Sequence, residues 1–161
     1  MQTYQVSMSG AIKAPASQVY AILADYHNGH PHILPKQYFT KLEVEQGGIG
    51  TGTRLRFEMN MLGRKQTFHS VISEPEPGRV MVESAQADGL PAAITTFTVE
   101  PLAEGKYAHV TIHTAGQARD GLGGKIEGFF ARMFLRRVYK QELALLAAFA
   151  EGPRAAQAQT A

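Results

Sequence analysis

The stretch DGLGGKIEGFFARMFLRRVYKQELALLAAFAE, residues 120–151, predicts one long helix near the end of the chain. Its glycines release the chain into the helix, and the apolar residues that follow recur at helical spacing. A helix from residue 122 to 151 has about eight turns at ~3.6 residues each. We expect one wide apolar arc of this helix to face a sheet. The arc consists of Phe129, Phe130, Met133, Phe134, Val138, Leu145 and Phe149.

The segment before this helix, from residue 38 to 115, is predicted to be a run of strands. Alternating stretches are closed by short turns rich in glycine and proline, such as Pro75-Glu76-Pro77-Gly78 and Asp88-Gly89-Leu90-Pro91. Such short connections permit only antiparallel neighbours, because a parallel pair needs a long crossover. The predicted strands lie near 38–46, 52–61, 65–74, 79–86, 92–100 and 107–115.

The first part of the chain predicts one more strand and two short helices. Tyr4, Val6 and Met8 share one parity with Ile12, as in a half-buried strand. A short helix follows Pro15, since proline is well tolerated as a first helical residue. The glycine and prolines of residues 25–35 allow only one or two helical turns before the sheet. The fold class is therefore α+β, with a curved seven-stranded antiparallel sheet around a long C-terminal helix.

Composition indicates one domain. The chain has 161 residues, of which 44% are apolar and 19% charged, as expected for a sequence that buries a core. We expect a single domain over residues 1–151 and a flexible tail over 152–161, where apolar periodicity stops. The excess of 16 basic over 14 acidic residues, a net charge of +2, is too small for phosphate neutralisation on nucleic acid.

Other features point to a soluble cytoplasmic protein. The absence of cysteine excludes disulfides, thiolate zinc sites and cysteine nucleophiles, and fits a reducing compartment. The first residues resemble a strand rather than a signal peptide. The longest apolar run, Leu143 to Ala150, is far shorter than the roughly 20 residues that cross a bilayer, so we expect no stable membrane insertion.

A curved sheet cannot follow a straight helix along its whole width, because the twist bends the sheet away. The inward parities of the predicted strands include polar residues such as Thr40, Gln66 and Ser70, and the helix arc carries Arg137 and Gln141. Burying such groups without partners costs roughly 2–7 kcal/mol each. We therefore predict an internal cavity with a few polar anchors rather than a filled core.

The opening segment Val6-x-Met8-x-Gly10-x-Ile12-x-Ala14-Pro15-Ala16-x-x-Val19-Tyr20-x-x-Leu23-Ala24-Asp25-Tyr26 resembles the START-like, or SRPBCC, superfamily, particularly its polyketide cyclase/dehydrase-like branch. The motif Glu74-Pro75-Glu76-Pro77-Gly78-Arg79-Val80 and the closing helix extend the resemblance from residue 3 to about 150. It implies the helix-grip fold and a deep cavity entered near the bend after the first helix. Relatives include lipid carriers, metabolite-binding proteins and aromatase/cyclases, so the fold does not decide the chemistry.

Ten residues are the candidates for ligand binding. Most are large apolar side chains with inward parity, whereas Arg137 and Gln141 could fix a carboxylate, phenolate or carbonyl group of the ligand. An internal salt bridge of Arg137 with Glu127, Glu142 or Glu58 is the alternative. The full set is Tyr38, Phe57, Met59, Phe68, Phe97, Phe130, Met133, Phe134, Arg137 and Gln141.

His27, His30 and His32 form the densest cluster of titratable groups, and we expect them at the pocket entrance. A solvent-exposed bend is the alternative. No HExxH motif or carboxylate pair accompanies them, so no metal is predicted. His69, His109 and His113 have the outward parity on their strands. The glycine-rich Gly47–Gly52 lacks the helix and lysine of a phosphate loop, and predicts a hairpin.

The leading functional hypothesis is binding of an apolar or aromatic, lipid-like small molecule in the cavity, without a cofactor. The alternative is a polyketide cyclase/dehydratase-like enzyme acting on a ligand in the same cavity, with catalytic residues that the sequence does not identify. A third hypothesis is a lipid-handling module. It would use a stripe of basic residues on the last helix, which is otherwise a solvated face: Lys125, Arg132, Arg136 and Lys140. Ligand identity and oligomeric state stay open.

Overall fold

The computed structural model describes residues 1–152, so that residues 153–161 of the predicted tail lie outside the described part. Its elements are β1 (Gln2–Ile12), α1 (Ala16–Ala24), a 3₁₀ turn (His30–His32), β2 (Phe39–Gln46), β3 (Arg54–Met61), β4 (Arg64–Glu76), β5 (Val80–Ala87), β6 (Ala93–Leu102), β7 (Tyr107–Ala118) and α2 (Gly121–Ala150). None of the helices in this part is both long and apolar enough to cross a bilayer.

The seven strands form one sheet in the order β1-β7-β6-β5-β4-β3-β2, and every neighbouring pair is antiparallel. Strands β2 to β7 follow one another as a meander, because the turns between them are short. The first strand pairs with the last, in a register that joins Val6 to Thr114. The predicted helix-grip architecture is confirmed, including the two short helical segments after β1.

Alternation decides which side chains reach the interior. In β7 the even-numbered residues, such as Val110 and Ile112, are almost fully buried, while His109 and His113 lie on the outer face as predicted. The expectation for the start of β2 is wrong in part. A register shift between Phe39 and Lys41 turns Phe39 inward and leaves Thr40 exposed, because a bulge reverses the parity on one side of it.

The glycine-rich segment Gly47–Gly52 is the connection between β2 and β3, as predicted. It packs on the bend after α1: the Tyr26 amide donates to the carbonyl oxygen of Gly48 at 2.8 Å. Gly48 has φ +131°, and a Cβ there would lie 1.9 Å from Nε2 of His27. Only glycine allows this approach, which holds Tyr26 under the sheet.

Helix α2 crosses β1 and β7, but its orientation about its own axis differs from the prediction. The residues that it buries include Gly124, Gly128, Val138, Tyr139 and Glu142. A Cβ on Gly124 would lie 1.5 Å from the carbonyl oxygen of Arg119, so backbone, rather than a large side chain, makes the contact there. As a result several predicted arc residues face outward instead: Phe129, Phe130 and Met133 are 52%, 48% and 41% exposed.

Candidate functional site

A cavity of about 170 Å³ lies between the sheet and α2. Its position follows from three successive inward residues of β5, namely Glu83, Ala85 and Ala87. We call the inward side chains that face each other across neighbouring strands a rung. Ala85 forms a rung of small residues with Ser70 on β4 and Ala93 on β6. Because these side chains are short, they leave space between the sheet and the helix.

The rung on one side of this space is polar. Glu83 pairs with Thr95, and Thr95 pairs with Thr114 on β7. The two threonine hydroxyls lie 2.8 Å apart, and the Thr114 hydroxyl also shares a hydrogen bond with the hydroxyl of Tyr139 on α2. Burial raises the pKa of Tyr139, so this phenol stays protonated at neutral pH. The two threonines and Tyr139 thus fix α2 over the sheet.

Tyr26 and His30 lie beside this polar rung. The Tyr26 hydroxyl donates a hydrogen bond to Oε1 of Glu83, and the two rings of Tyr26 and His30 stack with centroids 4.4 Å apart. The His30 Nδ1 donates to the carbonyl oxygen of Leu23 at 2.7 Å. This bond leaves Nε2, which lies 3.7 Å from Oε1 of Glu83, available to the cavity.

Glu142 of α2 also lines the cavity, and its side chain is 3% exposed. Its Oε2 is buried without a hydrogen-bond partner. Burial, together with the negative charge of Glu83, raises the pKa of Glu142 well above its ordinary value. We call Tyr26, His30, Glu83, Thr95, Thr114, Tyr139 and Glu142 the polar end.

The rung on the other side of the small residues is aromatic. Phe57 and Phe68 face each other on β3 and β4, with their rings stacked 5.2 Å apart and 12° from parallel. Met59, Met61 and Phe134 complete this apolar end of the cavity. The cavity therefore spans three successive rungs, from the aromatic rung at its apolar end to the rung of Glu83 at its polar end.

Phe134 separates the cavity from a second hollow of about 260 Å³, which we call the outer groove. The ring of Tyr38 meets Phe134 edge-on at 5.2 Å, so the two rings form the wall between the hollows. The outer groove is lined by Gln37, Tyr38, Asn60, Leu62, Gly63, Phe130, Met133, Phe134 and Arg137.

The structure divides the predicted ligand-binding residues between these hollows. Phe57, Met59, Phe68, Phe97 and Phe134 line the cavity, as expected from their parity. In contrast, Tyr38, Phe130, Met133 and Arg137 line the outer groove.

The predicted placement of Arg137 and Gln141 on the cavity wall is wrong. Arg137 is exposed, and Gln141 is half-buried outside both hollows, because α2 is turned about its axis relative to the predicted arc. The predicted salt-bridge alternatives do not form either. Glu127 pairs with Arg119 at 2.6 Å, and Glu58 pairs with Lys65 at 3.7 Å. Of the predicted basic stripe, Lys125, Arg136 and Lys140 are exposed, whereas Arg132 is half-buried.

The three histidines do not converge on an entrance. His30 is 3% exposed and belongs to the polar end. His27 is exposed, with its Nε2 3.1 Å from the carbonyl oxygen of Gly47. His32 is also exposed and stacks on Phe149. Within residues 1–152 no group of three histidine, aspartate or glutamate side chains is placed to hold a metal ion.

Glu83 and Glu142 were not among the residues predicted to line the cavity, since charged side chains are normally assigned to the outer face. The signals were present in the spacing. Glu83 follows the buried Met81 by two residues, and Glu142 lies four residues from both Val138 and Leu146, on one helix face. A carboxylate with buried parity is the signal that identifies such a site.

Comparisons with known proteins agree with this architecture. A family model described as "Polyketide cyclase / dehydrase and lipid transport" matches residues 3–151. No curated protein matches the sequence. Similar solved structures include the KanY protein, at 24% identity and TM-score 0.78, which covers 94% of this chain and 100% of its own.

Two further structures are similar to the chain at lower identity. The Zhui aromatase/cyclase from Streptomyces sp. R1128 has 18% identity and a TM-score of 0.76, with coverage of 93% of this chain and 94% of its own. A START superfamily protein from Mycobacterium smegmatis has 16% identity and a TM-score of 0.71, with coverage of 92% and 97%. At these identities the similarity shows the fold alone.

Proposed function

Since the chain belongs to the polyketide cyclase / dehydrase and lipid transport family and has its START-like fold, we propose that it binds an apolar small molecule between the sheet and α2. The cavity is the observation that carries the proposal. Its walls are mostly aromatic and aliphatic, and the short side chains of the small rung leave the space between these walls unfilled. The apolar part of such a cavity gains dispersion contacts when an apolar molecule fills it.

The volume of about 170 Å³ limits the size of the ligand. A cavity of roughly 150 Å³ lined by apolar side chains can hold benzene, so one- or two-ring aromatic molecules are the expected class. A longer ligand would have to displace Phe134 and extend into the outer groove. The entrance that we propose is therefore the wall formed by Tyr38 and Phe134, rather than the bend that carries the histidines.

A thermal-shift screen of one- and two-ring aromatic compounds, with native mass spectrometry of the hits, tests the proposal. Binding to the folded state alone raises the apparent melting temperature. The variant Ala131→Leu reduces the cavity from the helix side and should weaken binding. Ala144→Leu, on the exposed face of the same helix, is the matched control. If no compound binds, or if both variants bind as the wild type does, the cavity is not the binding site.

A second function, a cyclase/dehydratase-like reaction, is supported by the groups at the polar end. A protonated Glu142 can donate a hydrogen bond to a ligand carbonyl oxygen, and Nε2 of His30 can accept the proton released from the adjacent carbon. The enolate formed in this way would attack a second carbonyl carbon of the same molecule, and the oxygen of that carbonyl would take the proton from His30 to become a hydroxyl group. In a dehydration step, the acid would protonate the departing hydroxyl group.

The two functions are separated by turnover of a poly-β-ketone analogue. An enzyme would lose most of its turnover number in Glu142→Gln and in His30→Gln, while a surface variant such as His69→Gln would keep it. Turnover that persists in both polar-end variants would contradict the catalytic assignment. Binding of the analogue by the wild type without turnover would support the binding function and contradict the enzymatic one.

A further inference from the structure

The charges that line the cavity are of one sign. Its lining residues include two glutamates, Glu83 and Glu142, but no lysine or arginine. An anionic ligand would lose its hydration shell close to Glu83 with no fixed cation to pair with it. The cavity is thus poorly suited to a fatty-acid carboxylate or a phenolate.

Glu142 has a carboxyl oxygen at this site that forms no hydrogen bond. Its side chain is 3% exposed, and Oε2 is buried with no partner. A buried polar atom without a partner costs the protein a desolvation penalty that water or a ligand must repay. Ser70, in the small rung, has a second buried oxygen without a hydrogen-bond partner.

The neighbouring groups do not supply a donor to Glu142. The Tyr26 hydroxyl donates to Glu83, the Tyr139 hydroxyl shares its bond with Thr114, and the His30 Nδ1 donates to Leu23. With Glu83 and Tyr4, these are the other titratable groups that line the cavity. The partner that Oε2 of Glu142 lacks is therefore not supplied by these groups and would come with the ligand.

We infer, on the basis of the proposed binding function, that the ligand is an apolar amine whose ammonium group pairs with Glu142 while its ring or chain lies at the apolar end. An ammonium group supplies three hydrogen-bond donors and a positive charge that can pair with a glutamate carboxylate. A neutral alcohol would supply one donor and no charge. Ion pairing requires Glu142 to release its proton to the solvent, so amine binding is coupled to proton release.

Matched ligand sets test the inference by calorimetry. Each set has one aromatic skeleton, phenyl or naphthyl. Its four members carry an aminomethyl, a hydroxymethyl, a carboxyl or a methyl group. We expect the amine to bind at least about tenfold more tightly than the acid on the same skeleton, because charged hydrogen bonds discriminate strongly. Equal affinity of amine and acid would overturn the inference and leave the binding function intact. Absence of binding by both whole sets would overturn the binding function.

Proton release gives a second readout that needs no variant. Titrations at neutral pH in buffers of different ionisation enthalpy should show release of about one proton per amine bound. Glu142→Gln should lower the ratio of amine to hydrocarbon affinity by about tenfold and abolish the proton release. Glu104→Gln, in the exposed turn before β7, makes the same charge change and should preserve both values. Amine binding to the wild type without proton release would contradict the pairing with Glu142.

Discussion

The two glutamates at the polar end have different surroundings, although their side chains line the same cavity. Glu83 accepts a hydrogen bond from Tyr26 and lies near Nε2 of His30. Glu142 has an oxygen without a partner, and its carboxyl group is almost completely buried. Burial and the charge of Glu83 raise the pKa of Glu142 and so favour its protonated form.

This difference predicts how stability depends on pH. Burial and the charge of Glu83 raise the pKa of Glu142 in the folded state above its ordinary value of 4.5. Between that value and the raised pKa, the folded state binds one more proton than the unfolded state. The free energy of unfolding contributed by Glu142 therefore falls as the pH rises through this window, and levels off above it.

Urea denaturation of the wild type and of Glu142→Gln at several pH values between 5 and 9 measures this contribution. The difference between the two unfolding free energies should change in favour of the variant as the pH rises. Lowered pKa values of other carboxyl groups, such as Glu74 beside Tyr20, affect both proteins equally and cancel in the difference. Parallel curves for the two proteins would show that Glu142 titrates as it does in water.

At the scale of elements, α2 decides which residues form the site. The alternation of side chains along the strands correctly placed Phe57, Phe68 and Phe97 on the cavity side, because a strand residue can face only one of the two sides of the sheet. A helix can take any orientation about its axis, and the large side chains of Phe129, Phe130 and Met133 dominated the predicted arc. The actual contact uses Gly124, which lies against the backbone of Arg119 after β7, and Gly128, which lies against Tyr4 of β1.

Two adjacent leucines of α2 test this orientation. Leu146 is completely buried, whereas Leu145 is 37% exposed. We expect Leu146→Ala to lower the free energy of unfolding by about 2–5 kcal/mol, since it leaves a cavity in the core. Leu145→Ala should change it by only about 0.5 kcal/mol, as surface substitutions do. Chemical denaturation of both variants gives the comparison, and similar losses would contradict the orientation of α2.

At the scale of the whole molecule, the sequence predicted the meander well and the chemistry of the cavity poorly. Turn residues such as Gly78 and Gly89 mark where each strand ends, so the order of strands follows from local signals. The polar end instead joins Tyr26, Glu83, Thr114 and Glu142, which lie far apart in the chain. Only the packing of α2 over the sheet brings them together, and no local pattern reports that packing.

The pairing of β1 with β7 also predicts a folding order. Closing a loop of about a hundred residues is entropically costly, so this pair should form after the β2–β7 meander. Val6, 2% exposed in β1, reports on the step. Val6→Ala should mainly accelerate unfolding, with little effect on the folding rate, in stopped-flow urea jumps. A slower folding rate with unchanged unfolding would place β1 in the transition state.

The same pairing has a consequence for synthesis on the ribosome. Strand β1 emerges before its partner β7, Tyr107–Ala118, which is translated about a hundred residues later. At 5–20 residues per second, roughly, β1 stays unpaired for several seconds during translation. The outward-facing residues of β1 include the polar Gln5, Ser7 and Ser9, so one face of the nascent strand stays hydrophilic through this delay.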